Sequence, residues 1–542
     1  MHRDNPYLIK KPDFARLASR YPDFAQYVTI SEEGYASIDF QDAPALRSLT
    51  SCLLKEDWNL DVELTEDRLC PALPNRSVIG TTCVSPDLVK LISEDFRLDY
   101  LFHVLDLEPY FASSSTNQPL RVLDIGTGAS AIYPILLHRL RPKAKITATE
   151  IDEISYKYSL TVLSKNSIPS TSIEILRASS KQPILFPILD GNEEWNLTIC
   201  NPPFFGSEEE MKEGQNGKER GAHAASTAAN NELITPGGEV AFVGQMIEEC
   251  LKSGERCCWY TSLIGKFSSL SPLVELLRKN KVDNYLLKNI KQSKTVRWIL
   301  GWSFSSIRIP DTIARPEDVV PNTSFTRLLP PPNTFSHRPE PGIPIDELQK
   351  RVIEVLKSIS LDPSNTSLDP AEYKVDDSET STIILNPLSN SWSRSARRAQ
   401  ARLPSVPAND PEIEAEVQNE EKNAEAIFKA EMKFIPPLTS NDFSSISLEW
   451  IEGRDRTLVE GLWKFLLNKA ELIGKKEERD AGYGARLGGG QWQRGKGRER
   501  ERGRRNGGSK GGSDWPNKNE RKEGEEDGMN ENRRYGQRRR LV

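Results

Sequence analysis

Hydrophobic residues recur along this chain on two different periods, and the change of period divides it. FARLASRYPDFAQYV places Phe14, Leu17, Ala18, Tyr21 and Phe24 at helical spacing, with Pro22 positioned to kink or divide the helix. PALRSLTSCLLKEDW opens on Pro44, a favoured first-turn residue, and sets Leu46, Leu49, Leu53 and Leu54 as an apolar stripe. From residue 120 to 305 the pattern alternates. LRVLDIG, KITATEI, SIEILRA, NLTICN and RCCWYTSLIG are short continuous apolar runs, as in parallel strands buried on both faces. DEISYKYSLTVLSKN, EVAFVGQMIEECLKS and SPLVELLRKN between them carry the helical period. NYLLKNI and TVRWILGWSF follow without an intervening helix and fit a closing antiparallel hairpin. The prediction is an α/β fold, a doubly wound Rossmann-like sheet whose ligands sit at the carboxyl ends of its strands.

Residues 306–342 are rich in Pro, Thr and Ser and read as a linker. Residues 343–474 read as a second small α/β domain. IDELQKRVIEVLKSI and RTLVEGLWKFLLNKAEL are amphipathic helices, EAIFKAEMKFI and SSISLEWIEG are strands, and the polar stretch 385–423 is loop. No fixed-period repeat is present. The last segment, 475–542, is Gly-, Arg- and Glu-rich low complexity and reads as a disordered Arg/Gly-rich tail. The expected organisation is a helical module over 1–75, the doubly wound unit over 76–305, then linker, second domain and tail.

Composition refines this picture in three places. Hydrophobic residues are 37% and charged residues 28%, a polar surplus that the tail accounts for in part. No apolar run approaches the ~18 residues of a membrane span, and MHRDNPYLIKKPDF has no apolar stretch of signal-peptide type. An intracellular protein without membrane attachment is expected. The seven cysteines include no CxxC pair, and the five histidines lie far apart without HExxH spacing. Spacing therefore predicts no metal site, although ligands distant in sequence can meet in space. Net charge is −6, yet Lys475 to Val542 holds 20 Lys and Arg against 12 Asp and Glu. Local basic patches, not whole-chain charge, govern nucleic-acid contact.

Candidate chemistry falls at two strand ends. LDIGTGAS, residues 123–130, follows a strand and precedes a helix, with Asp124 at the strand end and Gly126 and Gly128 in the turn. Alone, a tight strand-to-helix turn explains it as well as a nucleotide site does. Glu150 closes the next strand, 24 residues beyond Gly126, near the ~20-residue offset of a ribose-binding acid. A solvated charge is the plainer alternative. The turn lacks the third glycine of a dinucleotide-phosphate fingerprint, which suits S-adenosylmethionine, a nucleoside cofactor without phosphate. The sharpest signal is NLTICNPPFF, a strand running into Asn201-Pro202-Pro203-Phe204. The exocyclic amine of adenine is a poor nucleophile because its lone pair is delocalised into the ring. Two acceptors aimed at its hydrogens favour a pyramidal nitrogen, and the Asn201 side-chain carbonyl and the Pro202 backbone carbonyl are the acceptors available. The prolines make the turn rigid, and Phe204 can stack on a flipped base. A proline turn with core aromatics is the plainer reading.

These motifs resemble class I methyltransferases that act on amino groups. KPDFARLASRYPDF, the helix ending LLKEDW, DIGTGASAIYP, CNPPFF and TVRWILGWSF together resemble the eukaryotic adenosine methyltransferases of U6 small nuclear RNA, the methyltransferase-like sixteen family, over about residues 1–305. The resemblance implies an RNA adenosine N(6)-methyltransferase using S-adenosylmethionine. It also implies an RNA hairpin or single-stranded loop as partner, and a monomer of the nucleus with the cytoplasm as a second location. By it, Arg76 in LPNRSVI holds the cofactor carboxylate, Gly126 and Ser130 line the cofactor's methionine end, Glu150 holds the ribose, and Asn201 sits at the reacting centre; Asp124 and Gly128 complete the expected cofactor-binding turn. The family's N-terminal module binds RNA through basic residues, here Arg3, Lys10, Lys11, Arg16 and Arg20. Lys294 and Arg297 in QSKTVRW match further basic positions, with Arg297 alternatively a support for the hairpin. Where family members carry a Lys-Thr pair before the catalytic strand, this chain has Lys181-Gln182, and Lys181 joins the RNA candidates. A solvated surface charge is the alternative for each. The 206–237 loop holds only Lys212, Lys218, Arg220 and His223, a weaker basic set than the family's. Vertebrate members add a C-terminal α/β RNA-binding domain, with which 343–474 is compatible by analogy alone. Three other readings share the motifs: a ribosomal-RNA adenine methyltransferase, a glutamine-amide methyltransferase, and a non-catalytic RNA-binding assembly factor. Retention of Arg76, Gly126, Glu150 and Asn201 favours catalysis over the last.

Overall fold

The structure, a computed structural model, describes residues 2–9, 12–32, 34–39, 42–64, 96–111, 118–210, 234–292, 295–316, 320–321, 323–339, 342–359, 381–400, 426–437 and 443–473. The tail from 475 lies outside them. At the N-terminus, helix α1 (Phe14–Arg20) is capped by the Asp13 carboxylate, which accepts the Arg16 N–H at 3.0 Å. Tyr21 is extended and Pro22 opens α2 (Pro22–Ala25), so the proline divides the helix. A small hairpin, β1 (Val28–Ile30) with β2 (Ala36–Ile38), follows; its three-residue strands carry too little pattern to be read from sequence. Helix α3 (Ala43–Trp58) buries the Leu46, Leu49, Leu53 and Leu54 stripe. Helix α4 (Phe96–Leu105) leads into the main sheet.

That sheet has seven strands: β3 (Arg121–Ile125), β4 (Lys145–Glu150), β5 (Ile173–Arg177), β6 (Trp195–Cys200), β7 (Cys257–Ile264), β8 (Tyr285–Gln292) and β9 (Thr295–Trp302). Their order is β5-β4-β3-β6-β7-β9-β8, with the first five parallel. β9 is antiparallel to both β7 and β8, so the closing hairpin inserts its second strand next to the parallel set. Helices α5 (Ile132–Leu140), α6 (Glu153–Lys165), α7 (Gly238–Ser253) and α8 (Phe267–Lys279) cover the sheet. Alternate residues of each strand enter separate cores, as the two-residue pleat requires. Val122, Leu197, Trp259 and Ile299 pack in one, Leu123, Cys200, Tyr260 and Leu300 in the other. The first core also contains Phe14, Leu17, Phe24, Leu49 and Leu53, so the N-terminal helices share a hydrophobic interior with the sheet.

A second, four-stranded antiparallel sheet has the order β10 (Thr334–His337), β13 (Ser445–Gly453), β12 (Phe428–Ile435), β11 (Ser381–Leu385). Helices α9 (Ile345–Ser358) and α10 (Arg456–Lys469) bury Leu348, Val352, Leu462 and Leu466 against Phe428, Met432 and Trp450. The stretch read as linker, 306–342, supplies β10. Four residues among prolines are too short a run for periodicity to mark as strand. The stretch read as loop, 385–423, contains a helical segment at Arg394–Gln400; residues 401–425 lie outside the described set. Arg308 joins the two sheets. Its N–H donates to Ile451 O at 2.7 Å, its Nε to Gly453 O at 3.0 Å and its Nη1 to Asp283 Oδ1 at 2.8 Å, and its guanidinium lies 3.8 Å over Trp450. No described helix is long and apolar enough to cross a membrane.

Candidate active site

Strand register brings the two candidate turns together. Ile125 on β3 pairs with Thr149 on one side and with Cys200 on the other. The glycine turn, Glu150 and Asn201 therefore issue from three neighbouring strands at one level. Gly126 (φ +70°) and Gly128 (φ +69°) hold left-handed backbone, and a Cβ on either would meet open space. Conformation, not crowding, demands glycine there. Thr127 N–H donates to Thr149 O at 2.9 Å, tying the turn to β4. Glu150 is buried and accepts Gly128 N–H at 2.8 Å on Oε2 and Asp152 N–H at 2.7 Å on Oε1.

Asp124, two residues before Gly126, is 1% exposed. Burial pushes its carboxyl up to about 7; the nearby Thr127 hydroxyl opposes the shift and the Glu150 charge adds to it. Neither Thr127 nor any other described residue reaches its carboxylate oxygens in hydrogen-bond geometry. Buried polar groups are normally partnered, so an orphaned carboxylate beside an open glycine turn fits a ligand that brings donors and positive charge. S-adenosylmethionine has both. Ser130, also buried, completes the turn.

The Asn201 turn rests on residues that its sequence does not announce. The Cys200 N–H donates to the Tyr100 hydroxyl at 3.2 Å, and that hydroxyl shares a 2.7 Å bond with Thr261 Oγ1. β6 and β7 pair at Trp195–Cys257 and Leu197–Trp259; beyond these pairs, Thr261 N–H donates to Thr198 Oγ1 at 3.0 Å and Thr261 Oγ1 to Thr198 O at 2.6 Å. Burial pushes the Cys200 thiol far up, so it is no nucleophile. Phe204 lies against Gly265, where a Cβ would fall 2.6 Å from its Cδ1. Glu239, 1% exposed, gathers the chain around Gly265 by accepting Gly265 N–H at 2.6 Å, Lys266 N–H at 2.9 Å and the Ser269 hydroxyl at 2.6 Å.

The predicted site residues separate into groups. Asp124, Gly126, Gly128, Ser130, Glu150, Asn201, Pro202, Pro203 and Phe204 converge at the strand ends. Arg297 takes the support position: its Nη1 donates to Gly265 O at 2.9 Å and its guanidinium lies 4.9 Å over the Phe204 ring. Burial lowers its pKa, with Glu239 opposing. It covers one face of Phe204. Arg16 and Arg20 both pair with the largely buried Glu56, Arg20 at 2.7 Å. Arg3 and Lys181 are exposed. Arg76, Lys10, Lys11, Lys294, Lys212, Lys218, Arg220 and His223 lie outside the described residues. Tyr100, Glu239 and Gly265 escaped the sequence reading. An acid immediately after Gly237-Gly238, ahead of the apolar run Val240–Val243, was the available hint for Glu239.

Level parallel strand ends carrying a glycine turn, a buried acid and an Asn-Pro-Pro-Phe turn, with a reversed strand inserted before the sheet edge, define a class I methyltransferase. A family model described as RNA methyltransferase matches residues 1–80 and 86–306. The chain belongs to that RNA methyltransferase family. It is 33% identical over 374 residues to the RNA N(6)-adenosine-methyltransferase mettl16 of Xenopus laevis, covering 68% of this chain and 61% of that protein. It is 29% identical over 426 residues to the U6 small nuclear RNA (adenine-(43)-N(6))-methyltransferase of Schizosaccharomyces pombe, covering 78% of this chain and 92% of that protein. The hMettl16 catalytic domain, solved with the MAT2A 3'UTR hairpin 1, aligns at 33% identity and a TM-score of 0.49, covering 59% of this chain and 99% of that one.

Proposed function

We propose that this protein transfers a methyl group from S-adenosylmethionine to the exocyclic amine of an adenosine in RNA, with a U6-like hairpin or loop as substrate. Level register at Ile125, Thr149 and Cys200 is the observation that carries the reading, because it sets cofactor turn and amine-binding turn side by side. The names of the frog and yeast relatives support the adenosine N(6) position and the U6 substrate. A U6 substrate would place the protein in the nucleus.

Bound S-adenosylmethionine supplies an already electrophilic methyl sulfonium. The chain's task is then orientation and charge placement. Glu150, held at the end of β4 by the Gly128 and Asp152 N–H groups, accepts the ribose hydroxyl hydrogens. Asp124 offers its unpartnered oxygens to donors on the cofactor. Asn201 Oδ1 and the Pro202 carbonyl accept the two amine hydrogens and favour a pyramidal nitrogen. Phe204, backed by Arg297, stacks on the adenine ring. As the nitrogen becomes tetrahedral its hydrogens grow more acidic, so the Asn201 contact strengthens in the transition state.

Asn201→Ala should therefore abolish most turnover while cofactor and RNA still bind. Loss of one preorganised partner of this kind typically costs 10²–10³ in rate, about 2.7–4 kcal/mol. Single-turnover methylation of a saturating U6-like hairpin measures it, with ribosomal RNA and protein as competing acceptors. Near wild-type turnover would leave Asn-Pro-Pro-Phe a structural turn and remove the assignment.

A further inference from the structure

Sequence spacing pointed to no metal site, but the fold gathers residues that lie about a hundred positions apart. His2, His103 and Asp106 each offer one ligand atom, all within 4.8 Å of one another. His103 lies in α4, and Asp106 follows its last turn. We propose that these three residues bind a divalent transition metal of the zinc class, and that the metal clips the start of the chain to α4.

The cluster is built, not incidental. His2 is 5% exposed, and its Nε2 already stands 3.1 Å from Asp106 Oδ2. Its ring stacks on Phe102 at 5.5 Å and meets His103 edge-on at 4.8 Å. Its backbone N–H donates to Asp99 Oδ1 at 2.9 Å, and Asn5 Nδ2 donates to the same oxygen at 2.7 Å. His103 Nδ1 is buried and has no hydrogen-bond partner. Two imidazole nitrogens and one carboxylate oxygen form the three-ligand set of an open tetrahedral zinc site, with water as the fourth ligand. His2 Nδ1 accepts the Asp4 N–H at 3.1 Å and lies 3.8 Å from Asp4 Oδ2; a metal on Nε2 moves the ring proton to Nδ1, so binding exchanges the Asp4 N–H contact for the Asp4 carboxylate, the kind of outer partner that commonly orients a ligating histidine. The charged side chains around the cluster are Asp4, Asp99 and Asp106 against Lys288. A bridge between His2 and Asp106 closes a loop of more than a hundred residues, and a long closed loop restricts the unfolded chain most.

Full-length, tag-free protein stripped with chelator and titrated with Co(II) tests this. We expect one equivalent bound with the visible bands of a nitrogen- and oxygen-ligated tetrahedral ion, displaced by Zn(II). Zn(II) should raise the melting temperature of the wild type. His103→Gln and Asp106→Asn should each weaken binding at least tenfold and lose the Zn(II)-dependent rise, while their metal-free melting temperatures stay near wild type. No uptake by the wild type, uptake unchanged in both variants, or a thiolate charge-transfer band from the cysteines would overturn the proposal. Should either variant fail to fold, the wild-type Co(II) spectrum decides alone.

Discussion

Gly265 and Asp124 illustrate opposite constraints on single residues. At Gly265 the constraint is space. Gly265→Ala puts a methyl group where the Phe204 ring edge lies, 2.6 Å from Cδ1, and Phe204 must move off the Arg297 guanidinium. We expect turnover on RNA to fall tenfold or more, roughly the 1–3 kcal/mol of an overpacked site, with cofactor affinity unchanged in calorimetry. Equal loss of cofactor binding would place Gly265 in the general fold instead. At Asp124 the constraint is charge. Burial holds its carboxyl at about 7 in the folded protein, against ~3.9 in an unfolded chain. Between those values the folded state keeps a proton that the unfolded state releases. The stability this contributes is full below about pH 4, falls as pH rises, and is lost above about pH 7. The cofactor-free wild type should thus lose melting temperature relative to Asp124→Asn from pH 4.5 to 7.5, with a flat difference above that. A pH-independent difference would mean that Asp124 is ionised throughout. Asn201 and Glu150 were legible in the sequence because their chemistry is local to a motif. Gly265 and Glu239 were not, because each acts only through neighbours that the fold supplies.

At the scale of elements, the long strands and helices of the main sheet follow from apolar run length and helical period. Helix α4 is different. Its sequence, FRLDYLFHVL, is apolar nearly all round, and α4 presents Tyr100 to the junction of β6 and β7. Tyr100→Phe keeps the ring and removes the hydroxyl, leaving the buried Cys200 N–H without its acceptor. Stranding such a group costs about 1–3 kcal/mol. Urea unfolding should show that loss, and turnover should fall further than stability does because Cys200 precedes Asn201. A variant with unchanged unfolding would show that the Tyr100 hydroxyl supports nothing. The hairpin β1–β2 and the strands β10 and β11 were missed for one reason. Three to five residues with polar neighbours give neither period nor run, and their partners lie far along the chain.

Over the whole molecule, Arg308 is a buried point of attachment between the two sheets, beside the more exposed Arg454–Glu255 ion pair. It is 5% exposed, and Asp283, Gly453 O and the Trp450 face all depend on it. Arg308→Ala should cost about 1–3 kcal/mol, the scale of charged hydrogen bonds with partly exposed partners. Scanning calorimetry should show the C-terminal sheet melting apart from the main sheet; one unchanged transition would mean that Arg308 does not couple them. None of this attachment was readable from sequence, because a Pro- and Ser-rich stretch carries no sign that it is built into a sheet. The origin of β10 has a consequence for how such a protein can be cut and recombined. The edge strand of the C-terminal sheet is encoded ahead of the first helix of that sheet. A gene fragment opening at residue 343 would yield a sheet with the flank of β13 bare, a template for sticking to other chains. Any cassette that carries this domain to a new host, in evolution or in the laboratory, has its graft point upstream of Ile307, inside what looks like spacer.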